Sequence, residues 1–424
     1  MSGESVHASR DIPGTCDSPV PALPSSHGDV PAHPTDRDRR CPFDPPPELT
    51  ALREKTPLSR LRYPDGHIGW LVTGHEPARK VLADPRFSAR SELKRVPVLR
   101  PGTDPFYGSP ALPGWLVDMD APDHTRLRRR LMSWFTARRT RALTPRIGRI
   151  VDDRLDEMAA LGGQADLVEH FALPVPSLVI CELLGVPYTE RADFQRNSAT
   201  LFKLDVTAEQ AATAMAELNA FLTELALHRG RSPGDDLLSA LAADGELSTA
   251  EIAGAGALLL SAGHETTAGS LGLGTFALMS HPDQLARLTA APSLAANAVE
   301  ELLRYLTIFH FGLPRTPLED LTLLGHTLRA GESVTVSLSA ANRDPAHFED
   351  PDRLDITRSA AGHLAFGHGA HQCIGQHLAR TEMRIAFPAL FARFPGLKLA
   401  VPSSEVPLGE DMGFYGVHAL PVRW

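Results

Sequence analysis

The 424-residue chain lacks most of what would tie it to nucleic acid, to a membrane or to the extracellular space. Only five of its 42 basic residues are lysine, and its formal net charge is -9. That balance favours solubility and argues against nucleic acid as the main partner. Its four cysteines, Cys16, Cys41, Cys181 and Cys373, lie far apart and form no CxxC pair. A disulfide framework is therefore not expected, and the spacing suits a reducing cytoplasm. The start of the chain carries no basic-then-apolar leader. No run of eighteen apolar residues is free of charge, so no membrane span is expected. No internal repeat is visible.

What is present is a large apolar fraction, 43%, enough for a sizeable core. Residues 1–40 are the exception. They are rich in Pro, Ser, Asp and Arg, cannot offset their ordering entropy, and are expected to form a mobile tail. Residues 41–424 show no linker and read as one domain, mainly α with a minor β portion. A hairpin is expected around Pro64-Asp65-Gly66 and a helix at "HEPARKVLAD". Residues 86–114 read as a long Pro- and Gly-rich loop, of the kind that is functional or mobile. From Pro122 to about Ser280 the pattern is mostly helical. The longest helix runs through "STAEIAGAGALLLSAGHETTAGSLGLGTFALMS", opened by a capping box of Ser248 and Glu251. It is apolar on nearly all sides and should cross the interior. A further helix spans "SLAANAVEELLRYL". Residues 321–340 read as strands, with Val334, Val336 and Leu338 alternating. A last helix follows Cys373, with Pro388 expected to kink it.

Four stretches carry candidate chemistry. In "FGHGAHQCIG", Gly367, Gly369 and Gly375 permit close backbone approach or conformations closed to other residues. Cys373 lies at a helix start, which stabilises a thiolate. Such a loop suits a flat metal cofactor taking its axial ligand from one side. An ordinary buried cysteine is the plain alternative, and zinc held with the nearby histidines is another. In "AGHETT", Glu265 and Thr266 interrupt an apolar helix, where polar groups are costly unless paired or functional. A local unwinding could aim them into a cavity as a proton relay. The alternative is a threonine bonded back to its own helix beside a structural ion pair. In "EELLR", Glu301 and Arg304 share a helical face as either a surface pair or a buried pair joined by a further arginine, such as Arg353. In "HTRLRRR", His124 and Arg128 could grip one anion. The remaining arginines form either a solvated face or a docking patch for an acidic protein.

Together, and in this order, the four stretches resemble the cytochrome P-450 haem-thiolate monooxygenases. Phe366, Gly367, Gly369, His371, Cys373 and Gly375 fit that family's pattern F-G-x-G-x-H/R-x-C-x-G. "AGHETT" resembles its oxygen-activation motif, and Glu301 with Arg304 its E-x-x-R. The resemblance covers roughly residues 41–424 and is closest to soluble actinomycete enzymes. One departure is Pro317, two residues after Arg315, where a small residue is more usual.

The resemblance implies the P-450 fold, with the long helix over haem b and the cysteine loop beneath it. It implies Cys373 as the iron ligand, with Phe366, Gly367 and Gly375 shaping the loop around it. His124, Arg128, Arg315 and His371 would hold the haem propionates. Thr266 would steady the oxygen and Glu265 would help deliver protons. Glu301, Arg304 and Arg353 would form a structural triad. Leu260, Ser261, His264, Ile308, Phe309 and His310 would line the substrate pocket, with loop 86–114 as a lid. It further implies oxygen insertion into an apolar or amphipathic secondary metabolite, such as a polyketide, macrolide or terpenoid, by a cytoplasmic monomer. Electrons would come from a ferredoxin and its NAD(P)H-dependent reductase, docked near arginines of 126–139. A peroxide-driven peroxygenase and a haem sensor are the alternatives.

Overall fold

The computed structural model describes residues 30–424. The hairpin forms where the sequence places it. Strands β1 (Leu58–Arg62) and β2 (Ile68–Val72) pair antiparallel, with Gly66 in the left-handed region at the turn. β2 then runs parallel to β8 (Val334–Val336). β8 pairs with β5 (Leu313–Pro317), and β5 pairs with β3 (Phe87–Ser88), giving the order β1-β2-β8-β5-β3. Two smaller sheets join β4 (Gln164–Asp166), β10 (Pro421–Arg423) and β9 (Lys398–Leu399), and β6 (Leu321–Leu323) with β7 (His326–Leu328). The strand alternation stops at Val336. Leu338 instead opens a short helix, because the Ser337 hydroxyl accepts from the Ala340 amide and caps it.

Helices make up the rest. They are α1 (Pro47–Lys55), α2 (His75–Ala83), α3 (Asp123–Met132), α4 (Ala137–Ala159), α5 (Pro174–Leu184), α6 (Arg191–Phe202) and α7 (Ala208–Arg231). They continue as α8 (Leu237–Asp244), α9 (Thr249–Ser280), α10 (Pro282–Ala290), α11 (Ala295–Leu306), α12 (Leu338–Ala341) and α13 (Gln376–Arg393). Pro388 lies inside α13, which continues through it to Arg393. Among the described residues no helix is long and apolar enough to cross a membrane.

α9 is the axis of the molecule. The Ser248 hydroxyl accepts from the Glu251 amide, and the Glu251 carboxylate accepts from the Ser248 amide, so the expected capping box closes its first turn. It ends where His281 and Pro282 start α10. α9 packs on α5, α6, α7 and α13, and most of its 32 residues are buried. The exception is a face formed by Ala262, Gly263, Glu265, Thr266, Gly269 and Ser270, all only partly buried. These positions follow the spacing of one helix face, and all but Glu265 and Thr266 are very small. An apolar core surrounds the helix except along this strip.

Two expectations change. Residues 30–40 are not a free tail. Ala32 bridges to Arg62, His33 is buried, and the Arg37 guanidinium lies 3.8 Å from the centre of the Tyr415 ring. Buried aromatic and backbone partners order this polar stretch, which its own composition could not do. Residues 1–29 of the expected tail lie outside the described residues. Cys181 and Cys373 are free, but Cys41 is disulfide-bonded, which the wide cysteine spacing did not suggest.

Candidate active site

Cys373 sits in the loop between a short turn, Gly369–His371, and the first residue of α13. Its amide donates to the Phe366 carbonyl at 2.9 Å. Its sulfur meets the amides of Gly375 and Gln376 at the start of α13, with Arg128 and Arg380 nearby. Burial pushes the thiol up, while the amides and the two arginines favour the thiolate. A metal ion on the sulfur would settle that contest for the thiolate. The loop's glycines have separate jobs. Gly369, at φ 74°, lies so close to α2 that a Cβ would stand 2.4 Å from the Leu82 carbonyl oxygen. Gly367, at φ 68°, faces open space instead, with only Leu313 within 4 Å of such a Cβ. Gly375 has an ordinary φ of -81°, and its hydrogen leaves room beside the sulfur.

His124 and Arg128 on α3, Arg315 on β5 and His371 on the loop converge as expected. The rings of His124 and His371 are 4.1 Å apart. Arg128 donates to the Gln372 carbonyl at 2.5 Å. Among the described residues, buried Arg315 donates only to the carbonyl of its neighbour Pro314, and His124 Nε2 is buried without a partner. Lys94, which the sequence did not single out, joins them, buried and paired with Asp118. His371 is pushed down to about 2 by burial, then by Arg315, His124, Lys94 and Arg128. Asp118 and Asp120 offset only part of this charge, so the cluster is short of anions. Two carboxylates would supply them.

The open strip of α9 carries Glu265 and Thr266. No unwinding occurs there. The Thr266 hydroxyl donates to the Ala262 carbonyl at 2.7 Å, which leaves its lone pairs free to accept. Glu265 lies 3.1 Å from His264 Nε2, and its side chain is mostly buried. Leu260, Ser261 and His264 do not line the strip. All three have no exposed surface. Ser261 accepts from Ser198 of α6, and His264 Nδ1 bonds the Leu260 carbonyl. Each step along a helix turns about 100°, so a shift of one or two residues moves a side chain from opening to core.

The loop after α11 divides in the same way. Ile308 and Phe309 stay partly exposed, and Phe309 meets Phe414 edge-on at 5.0 Å. Phe414 in turn lies 4.7 Å from Phe202 at the end of α6. The C-terminal loop that supplies Phe414 carried no local signal. His310, by contrast, turns away to stack on Phe311 and accept from Arg37 at 3.3 Å. It serves the N-terminal segment.

The buried triad is real, but its third member is Arg358. Arg304 forms a two-pronged pair with Glu301 at 2.7 and 2.8 Å, both side chains fully buried. Arg358 Nε reaches Glu301 at 3.2 Å. The side chain of Arg353 is exposed, and only its carbonyl takes part, accepting from Arg304 and Arg358. The neighbouring Glu300, also unremarked in the sequence, holds His363 before the cysteine loop and Arg380 and Arg384 on α13. Burial would raise its carboxyl, but His363 and Arg380 outweigh it and hold it at about 2. A depressed acid stabilises the fold above its unfolded value and stops doing so as pH falls through the folded one. The Glu300 side chain is 23% exposed and solvent screens part of the effect, so between about pH 4.5 and 2 the protein should lose ~1–2 kcal/mol of stability. Urea unfolding at stepped pH should show wild type losing stability over that range faster than Glu300→Gln.

Haem, the group implied by the resemblance, fits these residues. The sulfur faces helix amides, Gly367 opens on free space, and the buried cations lack the anions that propionates would bring. A narrow strip of small side chains on α9 is left uncovered. Zinc does not fit, since no group of three or more His, Cys, Asp and Glu side chains among the described residues could hold a metal ion. A cavity of about 560 Å³ is walled by charged residues such as Glu92, Asp120, Asp123, Arg126 and Glu251. It includes neither Cys373 nor Thr266, so the convergence of side chains is the better guide to the site.

The chain is similar to known proteins. The family model described as Cytochrome P450 matches residues 293–408. Cytochrome P450 105C1 of Streptomyces sp is 50% identical over 90% of this chain and 96% of its own length. Pentalenic acid synthase of Streptomyces avermitilis is 46% identical over 92% and 96%. The crystal structure of CYP105P1 in complex with filipin I superimposes with a TM-score of 0.87 at 46% identity, covering 93% of this chain and 99% of that one. The fold, the loop and this level of identity make the chain a member of the cytochrome P450 family, a monooxygenase whose cofactor is haem b on a cysteine thiolate.

Proposed function

We propose that Cys373 is the iron ligand and that the protein inserts one oxygen atom into a sizeable apolar or amphipathic secondary metabolite. The carrying observation is the buried Cys373 sulfur at the amide-rich start of α13, a helix that packs on α9. When bound, haem supplies the activation of O2, in the balance RH + O2 + two electrons + two protons giving ROH and water. The chain's own residues do the rest. Arg128, Arg315 and Lys94 would neutralise the propionates, and His124 and His371, kept uncharged by burial and the neighbouring cations, would add hydrogen bonds to them. The Thr266 hydroxyl donates to the Ala262 carbonyl, so its oxygen would be free to accept a hydrogen bond where the oxygen reacts. Glu265 is the nearest ionisable group on the same strip and passes protons inward. Phe202, Phe309 and Phe414 offer an apolar wall to the substrate. The reading of the substrate is supported by the relatives named pentalenic acid synthase and vitamin D3 dihydroxylase, and by the structure solved with filipin I.

Electrons come from a ferredoxin served by an NAD(P)H-dependent reductase. Of the arginines in 126–139, Arg126 pairs with Glu251, Arg130 with Asp244 and Glu246, and Arg139 with Asp235. Exposed Arg129 and Arg138 have no ion pair among the described residues, and they are the charges an acidic ferredoxin would meet.

The first test is a carbon monoxide difference spectrum of the dithionite-reduced holoprotein. A strongly red-shifted Soret band is expected, and a band at the position of a neutral-ligand haem protein would refute the thiolate. The relay has its own test. Thr266→Ala should keep oxidising NAD(P)H but divert electrons into peroxide. Unchanged coupling of cofactor use to product would remove Thr266 from the relay.

A further inference from the structure

Glu300 is the most heavily engaged carboxylate near the site that the proposed chemistry leaves unused. It stands beside Glu301 on α11 but faces the other way, towards the cysteine loop and α13. Its Oε1 accepts from Arg380 Nε and from Arg384, each at 2.8 Å, and its Oε2 accepts from Arg380 at 3.0 Å. His363 supplies a further bond at 3.1 Å. The Ala365 amide donates to His363 Nδ1, so the ring proton sits on Nε2 and points at Glu300. The Arg380 guanidinium lies 4.4 Å from the centre of the Phe366 ring, and the Phe366 carbonyl receives the Cys373 amide. The Arg380 charge is also felt at the Cys373 sulfur. One carboxylate thus touches the stem of the loop and pairs both with Arg380, whose charge reaches the sulfur, and with Arg384 one turn further along α13.

We infer that Glu300 is a positioning residue that pins the cysteine loop to α13 and, by neutralising Arg380 and Arg384, sets the reduction potential of the iron held by Cys373. The inference rests on the haem-thiolate reading above. Its physics is the charge around a ligand sulfur, one of the few levers a protein has on a haem. Reduction adds an electron, so a negative charge near the sulfur opposes it and a positive charge favours it. Removing Glu300's charge should raise the potential. Removing a cation that Glu300 balances should lower it. A residue serving only as a strut would behave differently, because either loss would loosen the same loop and move the potential the same way.

The experiment is a spectroelectrochemical titration of holoenzyme, with carbon monoxide spectra, for wild type, Glu300→Gln, Glu300→Asp and Arg384→Gln. Glu300→Gln keeps the shape and two acceptor lone pairs. Arg384 is chosen over Arg380 because its side chain is 41% exposed and does not pack on Phe366. Glu300→Gln should be more positive than wild type, Arg384→Gln more negative, and Glu300→Asp close to wild type, all keeping the thiolate band. Shifts of the same sign in Glu300→Gln and Arg384→Gln would overturn the inference, as would potentials that do not move. Should Glu300→Gln fail to fold, Arg384→Gln alone decides, by shifting negative or not. A wild type without the thiolate band would take down the haem-thiolate reading, and this inference with it.

Discussion

Cys373→Ala is expected to abolish oxygen insertion and to move the carbon monoxide band to the position of a neutral-ligand haem protein. A loss of at least ~10³-fold in turnover corresponds to ~4 kcal/mol of barrier. The fold should survive. The loop is held by contacts that do not involve the sulfur: Leu364 to Asn342, Arg128 to Gln372, and His363 to Glu300. Removing one small side chain from such a frame costs ~1–2 kcal/mol. The variant therefore separates ligand from scaffold. It should bind haem weakly or through another group while its far-UV circular dichroism matches wild type. A retained red-shifted band would show that some other residue ligates the iron.

Glu301→Ala should be the most damaging substitution outside the site. It strands Arg304, whose guanidinium gives its other protons to the carbonyls of Asn342, Pro351 and Arg353 and cannot reach water. Breaking a buried pair this way costs ~3–5 kcal/mol. A domain stable by ~5–15 kcal/mol loses a large share of its margin. Expression should yield little haem-loaded protein. The two neighbouring arginines then test which of them completes the triad. Arg358→Ala removes a charge-assisted bond to Glu301 and should cost ~1.5–3 kcal/mol. Arg353→Ala removes an exposed side chain and should stay within ~0.5 kcal/mol of wild type. Denaturant midpoints that reversed this order would restore Arg353 to the triad.

The capping box of α9, the pair Glu301 and Arg304, and the start of α13 just after Cys373 were all legible in the sequence. Each depends on residues three or four apart within one element, where spacing alone fixes geometry. His124 and Arg128, four apart on α3, were legible as a pair, but their grouping with Arg315 and His371 was legible only through the family resemblance. Those two come from β5 and the loop, and no local rule links them to α3.

What the sequence by itself determined was the local chemistry: a cysteine at a helix start, an acid and a hydroxyl inside an apolar helix, and a carboxylate three residues from an arginine. The tertiary structure decided which side chains face the opening and which are buried. It chose Ala262 and Thr266 over Leu260 and Ser261, Arg358 over Arg353, and Phe414 as a wall. It also drew Lys94 into the cation cluster, tied His310 to Arg37, and set Glu300 on Arg380. These choices depend on contacts between segments up to hundreds of residues apart, and on helix rotation of about 100° per residue. A one-residue difference that is negligible in a sequence pattern is therefore enough to exchange core for active site.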